Sequence, residues 1–257
     1  MSDSLQIEFL GTGTSTGVPQ LRCNCAVCRS NDPHDQRLRC SVIVRYRGKS
    51  ILIDCGPDFR QQMLRASSND LDALLITHIH YDHVGGIDDL RAYCIGHHFP
   101  VYARHDVIDN LRERLPYCFA EHPYPGVPQL DFTTINDTDS FMVQGIEVHP
   151  IPVMHYRLPI LGFQIGPMAY ITDCKTIDDR QIDRLRGIPI LVINALRIEP
   201  HLSHMHLAAT LDVIRRIAPG HAYLTHMSHG IGLHAQVDHT LPANVHLAYD
   251  GLVVNTP

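Results

Sequence analysis

The segment Thr77-His78-Ile79-His80-Tyr81-Asp82-His83-Val84-Gly85-Gly86 decides how the rest of this chain is interpreted. It follows a short apolar run at 73–76, which is typical of a strand that is buried on both faces. Its three histidines and one aspartate stand at relative positions 0, 2, 4 and 5. That spacing fits neither a helix face, which repeats every three or four residues, nor a strand face, which repeats every two. The sequence therefore predicts a loop just past the end of a buried strand.

Imidazole and carboxylate groups at this density favour a divalent metal ion. Nitrogen and oxygen donors suit a borderline ion, and their crowding is unfavourable unless they share a cation. The alternative interpretation is a solvated polar loop that binds nothing. The hydrophobic strand before the loop and the two glycines after it favour the metal site.

The motif matches the H-x-H-x-D-H signature of the metallo-β-lactamase superfamily, which this chain resembles from the glycine loop at 11–17 onward. The resemblance implies an α/β (α+β) fold in which two mixed sheets, flanked by helices, form a four-layer αββα sandwich. It implies a single hydrolase domain over residues 1–257. It also implies two metal ions, with His78 and His80 on the first and Asp82 and His83 on the second.

Three later residues, each after a predicted strand, occur in the order of the family's remaining metal motifs. A lone histidine after a strand is usually structural, so these assignments depend on the resemblance. It places His155 on the first ion, Asp173 between the ions and His226 on the second ion. The expected dinuclear ligands are His78, His80, Asp82, His83, His155, Asp173 and His226. Asp54 is expected to orient the metal loop without binding an ion.

The segment Cys23-Asn24-Cys25-Ala26-Val27-Cys28 places three thiols close together. In a reducing compartment this pattern favours a structural tetrahedral zinc ion, with a redox-active dithiol as the alternative. The pattern leaves the fourth ligand open between His34, which is near in sequence, and His229. The phosphodiesterase family of the carbon–phosphorus lyase pathway has the same cysteine triplet, and the resemblance to it implies His229. A zinc-binding N-terminal loop around 23–28 is therefore expected.

A second group of histidines precedes a predicted helix. Apolar residues at 207, 211, 214 and 217 recur at helical spacing, and Ser203 is the predicted N-cap. His204 would then lie at the positive end of the helix dipole, where an imidazolium needs a nearby anion such as phosphate. In the phosphodiesterase family and the related transfer-RNA 3′-processing endonucleases, a histidine at this place approaches the scissile phosphate. The resemblance implies that His204 is the general acid, with His201 and His206 as alternatives.

The remaining elements are predicted from hydrophobic period and turn residues. The region 116–128 is too rich in proline for regular structure, and it is interpreted either as a substrate lid or as a plain surface loop. The pattern predicts strands at 5–10, 40–46, 50–54, 73–77, 100–103, 161–165, 168–173, 188–195 and 222–226, helices at 58–65, 87–93, 105–112 and 178–186, second-sheet strands at 132–135, 141–143 and 146–153, and a closing hairpin at 245–254 with an Asp250-Gly251 turn.

Composition limits the class of protein. A length of 257 residues without repeats predicts one large domain, and a net charge of −6 does not favour binding to long nucleic acid. Eight cysteines without an export signal predict reduced thiols and a cytoplasmic location. No apolar stretch is long enough to span a membrane, so no membrane partner is expected. The sequence leaves a homodimer open.

These observations together predict a metal-dependent hydrolase. The resemblance implies a phosphodiesterase that cleaves a small cyclic or linear phosphodiester with a hydroxide bridging two divalent ions. In that mechanism Asp82 and Asp173 hold the ions and His204 is the general acid. The donors suit zinc, manganese or iron equally, and a further zinc would be structural.

Three other functions remain as alternatives. A transfer-RNA 3′-processing endonuclease is weakened by the net acidity and by the lack of a long, basic, glycine-rich arm. A thioester or lactone hydrolase would use the same ions but has less reason for His204. A cofactor-carrier protein, like the relative in pyrroloquinoline-quinone biosynthesis, is disfavoured by the intact set of metal donors.

Overall fold

The computed structural model describes residues 4–256. In chain order the strands are β1 (Gln6–Gly11), β2 (Ser41–Tyr46), β3 (Lys49–Ile53), β4 (Ala73–Leu75), β5 (Phe99–Ala103), β6 (Leu130–Thr134), β7 (Phe141–Val143), β8 (Ile146–His155), β9 (Leu158–Ile165), β10 (Met168–Ile171), β11 (Thr176–Ile177), β12 (Ile190–Asn194), β13 (His221–Thr225), β14 (Val245–Leu247) and β15 (Val253–Asn255). The α-helices are α1 (Phe59–Arg65), α2 (Tyr81–Val84), α3 (His105–Arg114), α4 (Asp179–Arg184), α5 (Leu207–Ile217) and α6 (His234–Asp238). Short 3₁₀ helices occupy Pro33–Asp35, Ile87–Tyr93, Pro116–Cys118 and His229–Ile231.

The strands form two mixed sheets. Within residues 4–256, the first sheet has the order β15-β1-β2-β3-β4-β5-β6, and the second has the order β11-β8-β9-β10-β12-β13-β14 with β7 on β8. Strands β3 to β6 are parallel in the first sheet, and β10, β12, β13 and β14 are parallel in the second. Parallel strands need crossover connections, which place helices on the outer faces of the sheets.

Three apolar clusters hold these layers together. The central cluster packs Phe9 and Val44 of the first sheet against Phe163 and Tyr170 of the second. An outer cluster joins the first sheet to α1 and α3, and another joins the second sheet to α4 and α5. Two outer helix layers around two sheets confirm the predicted four-layer αββα sandwich.

Two predictions about sheet membership are wrong. The strand predicted at 132–135 belongs to the first sheet, because β6 pairs in parallel with β5. The segment 245–254 is not a hairpin, because β14 completes the second sheet while β15 pairs with β1 in the first. Between them the Asp250 carboxylate accepts hydrogen bonds from the backbone N–H groups of Thr12 and Leu38. Those bonds anchor the turn to the N-terminal half of the chain.

The structure also differs from the predicted helix boundaries near the site. The second half of the predicted metal loop forms one helical turn, α2, with His80 at its N-cap position. Helix α5 begins at Leu207 with His206 at its N-cap position, so the predicted Ser203 cap is wrong. The Ser203 carbonyl instead accepts a hydrogen bond from His155 Nδ1 at 2.9 Å. The Ser203 carbonyl is therefore bonded to a residue of β8 and not to helix α5.

The region 116–128 begins with a short 3₁₀ helix and is otherwise irregular. The Tyr117 hydroxyl donates a hydrogen bond to Asp88 at 2.7 Å, which attaches the start of this region to the 3₁₀ helix at Ile87–Tyr93. The proposal that it is a substrate lid stays a prediction. No helix within residues 4–256 is both long and apolar enough to cross a membrane.

Candidate active site

The seven predicted metal ligands lie where strands end. His155 is the last residue of β8, and the loop that carries His78 follows β4. Asp173 follows β10 and His226 follows β13 directly. Carboxyl ends of parallel strands meet at one edge of a sheet, and the two sheets present these edges side by side, as in other α/β sites.

Three residues that follow strands around the site have left-handed backbone conformations. Asp54, Asp173 and His226 have φ angles of +64°, +54° and +54°. The left-handed region costs a non-glycine residue roughly 1–2 kcal/mol. The side chains of Asp173 and His226 take part in the site, so the unfavourable backbone coincides with the functional residues.

The site contains two sets of potential ligands. The ligand atoms of His78, His80 and His155 lie within 4.8 Å of one another, and so do those of Asp82, His83, Asp173 and His226. His226 Nε2 lies 3.1 Å from Asp173 Oδ1. All seven side chains singled out from the sequence are thus brought together in two adjacent groups.

Several ring nitrogens of this site have no hydrogen-bond partner, which favours bound cations as their partners. His83 Nε2 lies 3.2 Å from a carboxylate oxygen of Asp82 and 3.2 Å from one of Asp173. The nitrogen nevertheless makes no hydrogen bond, and neither ring nitrogen of His226 makes one. A buried polar atom left in this way costs about 1–3 kcal/mol. A divalent ion could coordinate His83 Nε2 and one ring nitrogen of His226.

The ligand set of His78, His80 and His155 also favours a bound cation. The hydroxyl of Thr77 lies 2.9 Å from His78 Nδ1, and it donates its own proton to Asp54. His78 Nδ1 must therefore carry the proton, which leaves a lone pair on Nε2. That lone pair faces His80 Nδ1 at 3.0 Å. Two imidazole nitrogens at this separation need a shared proton or a shared cation.

The buried carboxylates and imidazoles of the site shift one another's pKa values. Burial alone would raise the pKa of Asp173, but the imidazoles of His226 and His83 and a hydrogen bond from His204 hold that pKa well below its usual range. Burial lowers the pKa of His83, but the carboxylates of Asp82, Asp54 and Asp173 together raise it well above its usual value. The ionised carboxylates require nearby positive charge, which bound dications would supply.

Asp54 orients the metal-loop residues from behind. It is fully buried, and it accepts hydrogen bonds from the backbone N–H of Thr77 at 2.8 Å and from His83 Nδ1 at 2.6 Å. With Nδ1–H donated to Asp54, His83 Nε2 faces the ligand group, where a bound cation would replace the proton that the carboxylates otherwise favour. This arrangement is the one that fixes the tautomer of a metal-binding histidine.

Of the three histidines proposed for acid catalysis, His204 lies against the ligand groups. Its Nε2 is 3.0 Å from Asp173 Oδ1, and its Nδ1 is 3.0 Å from the Ser203 hydroxyl. His201 lies behind it, with the two Nδ1 atoms 3.2 Å apart. His206 stands at the N-cap position of α5. Burial lowers the pKa of His204, and the hydrogen bond to Asp173 partly opposes that change.

The geometry also offers His204 a second role. The ligand atoms of His155, Asp173 and His204 lie within 4.8 Å of one another, so the imidazole of His204 could itself hold a metal ion.

The three cysteines of the N-terminal loop form a separate group with His229. Cys23 Sγ and Cys25 Sγ lie 3.4 Å and 3.2 Å from His229 Nδ1, and the ligand atoms of all four residues, Cys28 included, lie within 4.8 Å of one another. The backbone N–H of Cys28 and the His229 ring lower the pKa of Cys25 to about 6, which favours the thiolate. His34 is not in the group; it stacks on Tyr249 instead, with ring centroids 3.9 Å apart.

The glycine loop connects these two sites. Thr14 N–H donates to the Met227 carbonyl, and Met227 N–H donates to the Thr12 carbonyl. Met227 lies between His226 of the dinuclear group and His229 of the cysteine group. The loop therefore borders the part of the chain that carries both sites.

Sequence reasoning missed the roles of Thr77 and Lys175, which both contact functional segments. Thr77 links Asp54 to His78. Lys175 Nζ donates to the His201 carbonyl at 2.5 Å. A threonine directly before the metal motif is the one local signal that could have indicated the first contact.

Comparisons with known proteins identify the family and the fold of this chain. Residues 49–227 match the family described as "Beta-lactamase superfamily domain". A solved structure described as a new diphosphatase from the PhnP family superposes with a TM-score of 0.92 and 38% identity, covering 98% of this chain and 97% of that one.

Two curated relatives are also similar. A protein named Octanoyltransferase from Porphyromonas gingivalis (strain ATCC BAA-308 / W83) is 47% identical over 246 residues, which are 95% of this chain and 50% of the relative. A Ribonuclease Z from Mycobacterium sp. (strain KMS) is 40% identical over 213 residues, covering 75% of this chain and 69% of that protein. The chain thus spans about half the length of the first relative. On the family match and the shared architecture, this chain belongs to the β-lactamase superfamily and has the metallo-β-lactamase fold.

Proposed function

We propose that this protein is a dinuclear metal-dependent phosphodiesterase that cleaves a small cyclic or linear phosphodiester, with His204 as the general acid. The observation that carries the proposal is the position of His204 Nε2, 3.0 Å from an oxygen of Asp173. Asp173 itself stands among the proposed metal ligands. A proton donor beside bound cations is suited to an anionic substrate whose leaving group departs as an alkoxide.

The proposed ligands divide between two ions, and the donor types suit zinc, manganese or iron. His78, His80 and His155 would hold the first, Asp82, His83 and His226 would hold the second, and Asp173 would lie between them. Bound dications supply charge stabilisation for a phosphodiester and an ionised water near neutral pH.

The chain's own residues orient these groups and handle the proton. Asp54 and Thr77 fix the tautomers of His83 and His78. The anionic substrate favours the protonated form of His204, against the effect of burial on its pKa. As the bond from phosphorus to the leaving oxygen breaks, its electron pair goes to that oxygen and the proton of His204 Nε2 follows. A water oxygen forms the new bond to phosphorus, and the water's proton passes to solvent.

The names of the relatives support cleavage of a phosphorus–oxygen bond rather than hydrolysis of a thioester or a lactone. Both the PhnP-family diphosphatase and the Ribonuclease Z have names that refer to phosphorus–oxygen bonds. The name Octanoyltransferase describes a protein about twice as long as the matched region, so it does not assign acyl transfer to that region. A net charge of −6 disfavours a long RNA as substrate. The eight cysteines are unpaired, which agrees with the reducing cytoplasm as the proposed location.

A substrate panel tests the proposal directly. The purified protein, loaded with zinc or manganese, should hydrolyse bis(p-nitrophenyl) phosphate and small cyclic phosphodiesters or diphosphate esters. We expect much lower rates on acyl thioesters, lactones and β-lactams and on a transfer-RNA precursor. Strong thioester hydrolysis without phosphodiester hydrolysis would contradict the proposed substrate class.

We further propose that Cys23, Cys25, Cys28 and His229 bind a structural zinc. Substituting Cys25→Ser should remove about one zinc per chain and lower the melting temperature, because metal binding adds to the free energy of folding. Elemental analysis and thermal unfolding measure both effects. The control is Cys118→Ser, a half-buried thiol outside the cluster, which should change neither. An unchanged zinc content in Cys25→Ser would refute this site.

A further inference from the structure

The loop that carries His204, residues 201–205, is held by neighbours on its inner side. His155 Nδ1 donates to the Ser203 carbonyl at 2.9 Å. The Met205 N–H donates to the Cys174 carbonyl at 2.8 Å. Lys175 Nζ lies 2.5 Å from the His201 carbonyl oxygen and 3.5 Å from that of His204. We call residues 201–205 the His204 loop.

Lys175 contacts the backbone carbonyl of the first residue of this loop and that of His204, the proposed acid. Its ammonium group is within 3.5 Å of two carbonyl oxygens that are three residues apart in sequence. One side chain therefore links the His201 backbone to the His204 backbone. A hydrogen bond from a charged donor contributes more than a neutral one. Loss of this contact would leave the His201 carbonyl without its charged donor.

The backbone that carries Lys175 is itself fixed. Its N–H donates to the Met154 carbonyl at 2.7 Å. The preceding residue, Cys174, exchanges two hydrogen bonds with the Asn194 amide, at 2.8 Å and 3.0 Å. Lys175 also follows Asp173 by two positions. The side chain therefore starts from a rigid point next to the proposed bridging ligand and reaches the proposed acid.

Lysine is rare in this chain. The sequence contains lysine only at 49 and 175, and the other 19 of its 21 basic residues are arginine. An ammonium is compact and can direct its protons at carbonyls in different directions, whereas a guanidinium is a wide planar fork. At position 175 the ammonium group reaches two acceptors that lie on different residues of one short loop.

From these contacts we infer that Lys175 is a positioning residue that holds His204 Nε2 next to Asp173, where the leaving oxygen of the substrate can receive its proton. The inference rests on the proposed function. It assigns Lys175 no contact with substrate. Displacing a catalytic group by about 1 Å can cost on the order of 10²-fold in rate, so the tether has a measurable effect.

The test compares two symmetric diesters that differ in how much they need an acid. p-Nitrophenolate leaves bis(p-nitrophenyl) phosphate readily without a proton, whereas the more basic phenolate of diphenyl phosphate benefits from protonation. For Lys175→Met we expect kcat on diphenyl phosphate to fall about 10–100-fold and kcat on bis(p-nitrophenyl) phosphate to change less than about threefold. Metal content should match that of the unsubstituted protein.

Three further variants make the result interpretable. Lys49→Met removes the other lysine, which pairs with Asp72 at 2.9 Å beside the β2–β3 turn, and it should leave both rates unchanged. Lys175→Arg keeps the charge but not the compact shape, and it should retain part of the selective loss. His204→Ala should show the selective loss in full.

The outcomes separate the inference from the proposed function. If Lys175→Met slows both diesters equally, or slows neither, the positioning role is wrong. If His204→Ala itself shows no selectivity for the leaving group, the assignment of the acid fails instead. A fall in thermal stability with an unchanged ratio of the two rates would reduce Lys175 to a structural role and would also overturn the inference.

Discussion

Replacing His204 with alanine is expected to lower kcat on diphenyl phosphate, whose leaving group needs a proton, by about 10²–10⁴-fold, the usual contribution of a general acid, while the protein keeps its full content of catalytic metal. The physical reason is that the Nε2 atom of His204 lies 3.0 Å from Asp173, beside the proposed ligands, on a ring whose opposite nitrogen is held by Ser203. Steady-state kinetics and elemental analysis on the same preparation measure the two quantities.

Metal content is the decisive measurement for this variant. The ligand atoms of His155, Asp173 and His204 lie close enough to share an ion, so His204 has a competing role as a ligand. Loss of bound metal from His204→Ala would favour that role and contradict the acid. The matched control is His206→Ala, because the sequence alone does not separate these two histidines. It should keep both metal and activity.

Replacing Asp54 with asparagine should weaken metal binding by about 10–100-fold, the usual effect of losing a group that orients a ligand. Asparagine has nearly the same shape, but its amide nitrogen would face either the Thr77 N–H or the His83 Nδ1–H, and both of these are donors. One buried donor is then left without an acceptor, and the His83 tautomer is no longer fixed. Competition with a chelator measures the affinity.

Asp72→Asn is the control for this substitution. Asp72 also accepts a backbone N–H, that of Ser50, but it lies near the start of β3, whereas Asp54 follows the end of that strand. Its replacement should leave metal affinity unchanged. Equal affinity in Asp54→Asn and the unsubstituted protein would show that the tautomer of His83 does not depend on the carboxylate.

The ligands of the candidate site could be predicted because their signal is local. Each follows an apolar strand, and the motif at 77–86 has a spacing that few other structures require. The fold followed from the same motif through the resemblance. The pairing of β6 could not be predicted in this way, because the pattern of its five residues does not indicate which sheet the strand joins.

Long-range contacts account for the rest of what the sequence did not reveal. The start of α5 depends on hydrogen bonds from His155 and to Cys174, which are distant in sequence from Ser203 and Met205. Hydrophobic periodicity and N-cap preference are local signals, so they do not predict such long-range bonds. Lys175 was missed for the same reason, since its two acceptors become its neighbours only after the second sheet has formed.

The left-handed conformations of Asp54, Asp173 and His226 have a consequence for the metal-free protein. Each left-handed residue is unfavourable by itself, and all three lie at the strand ends that surround the candidate site. Without cations, these strand ends should open more readily than they do with cations bound, and their amide protons should exchange faster. Adding metal should slow that exchange at these strand ends first and leave the far ends of the strands as they were.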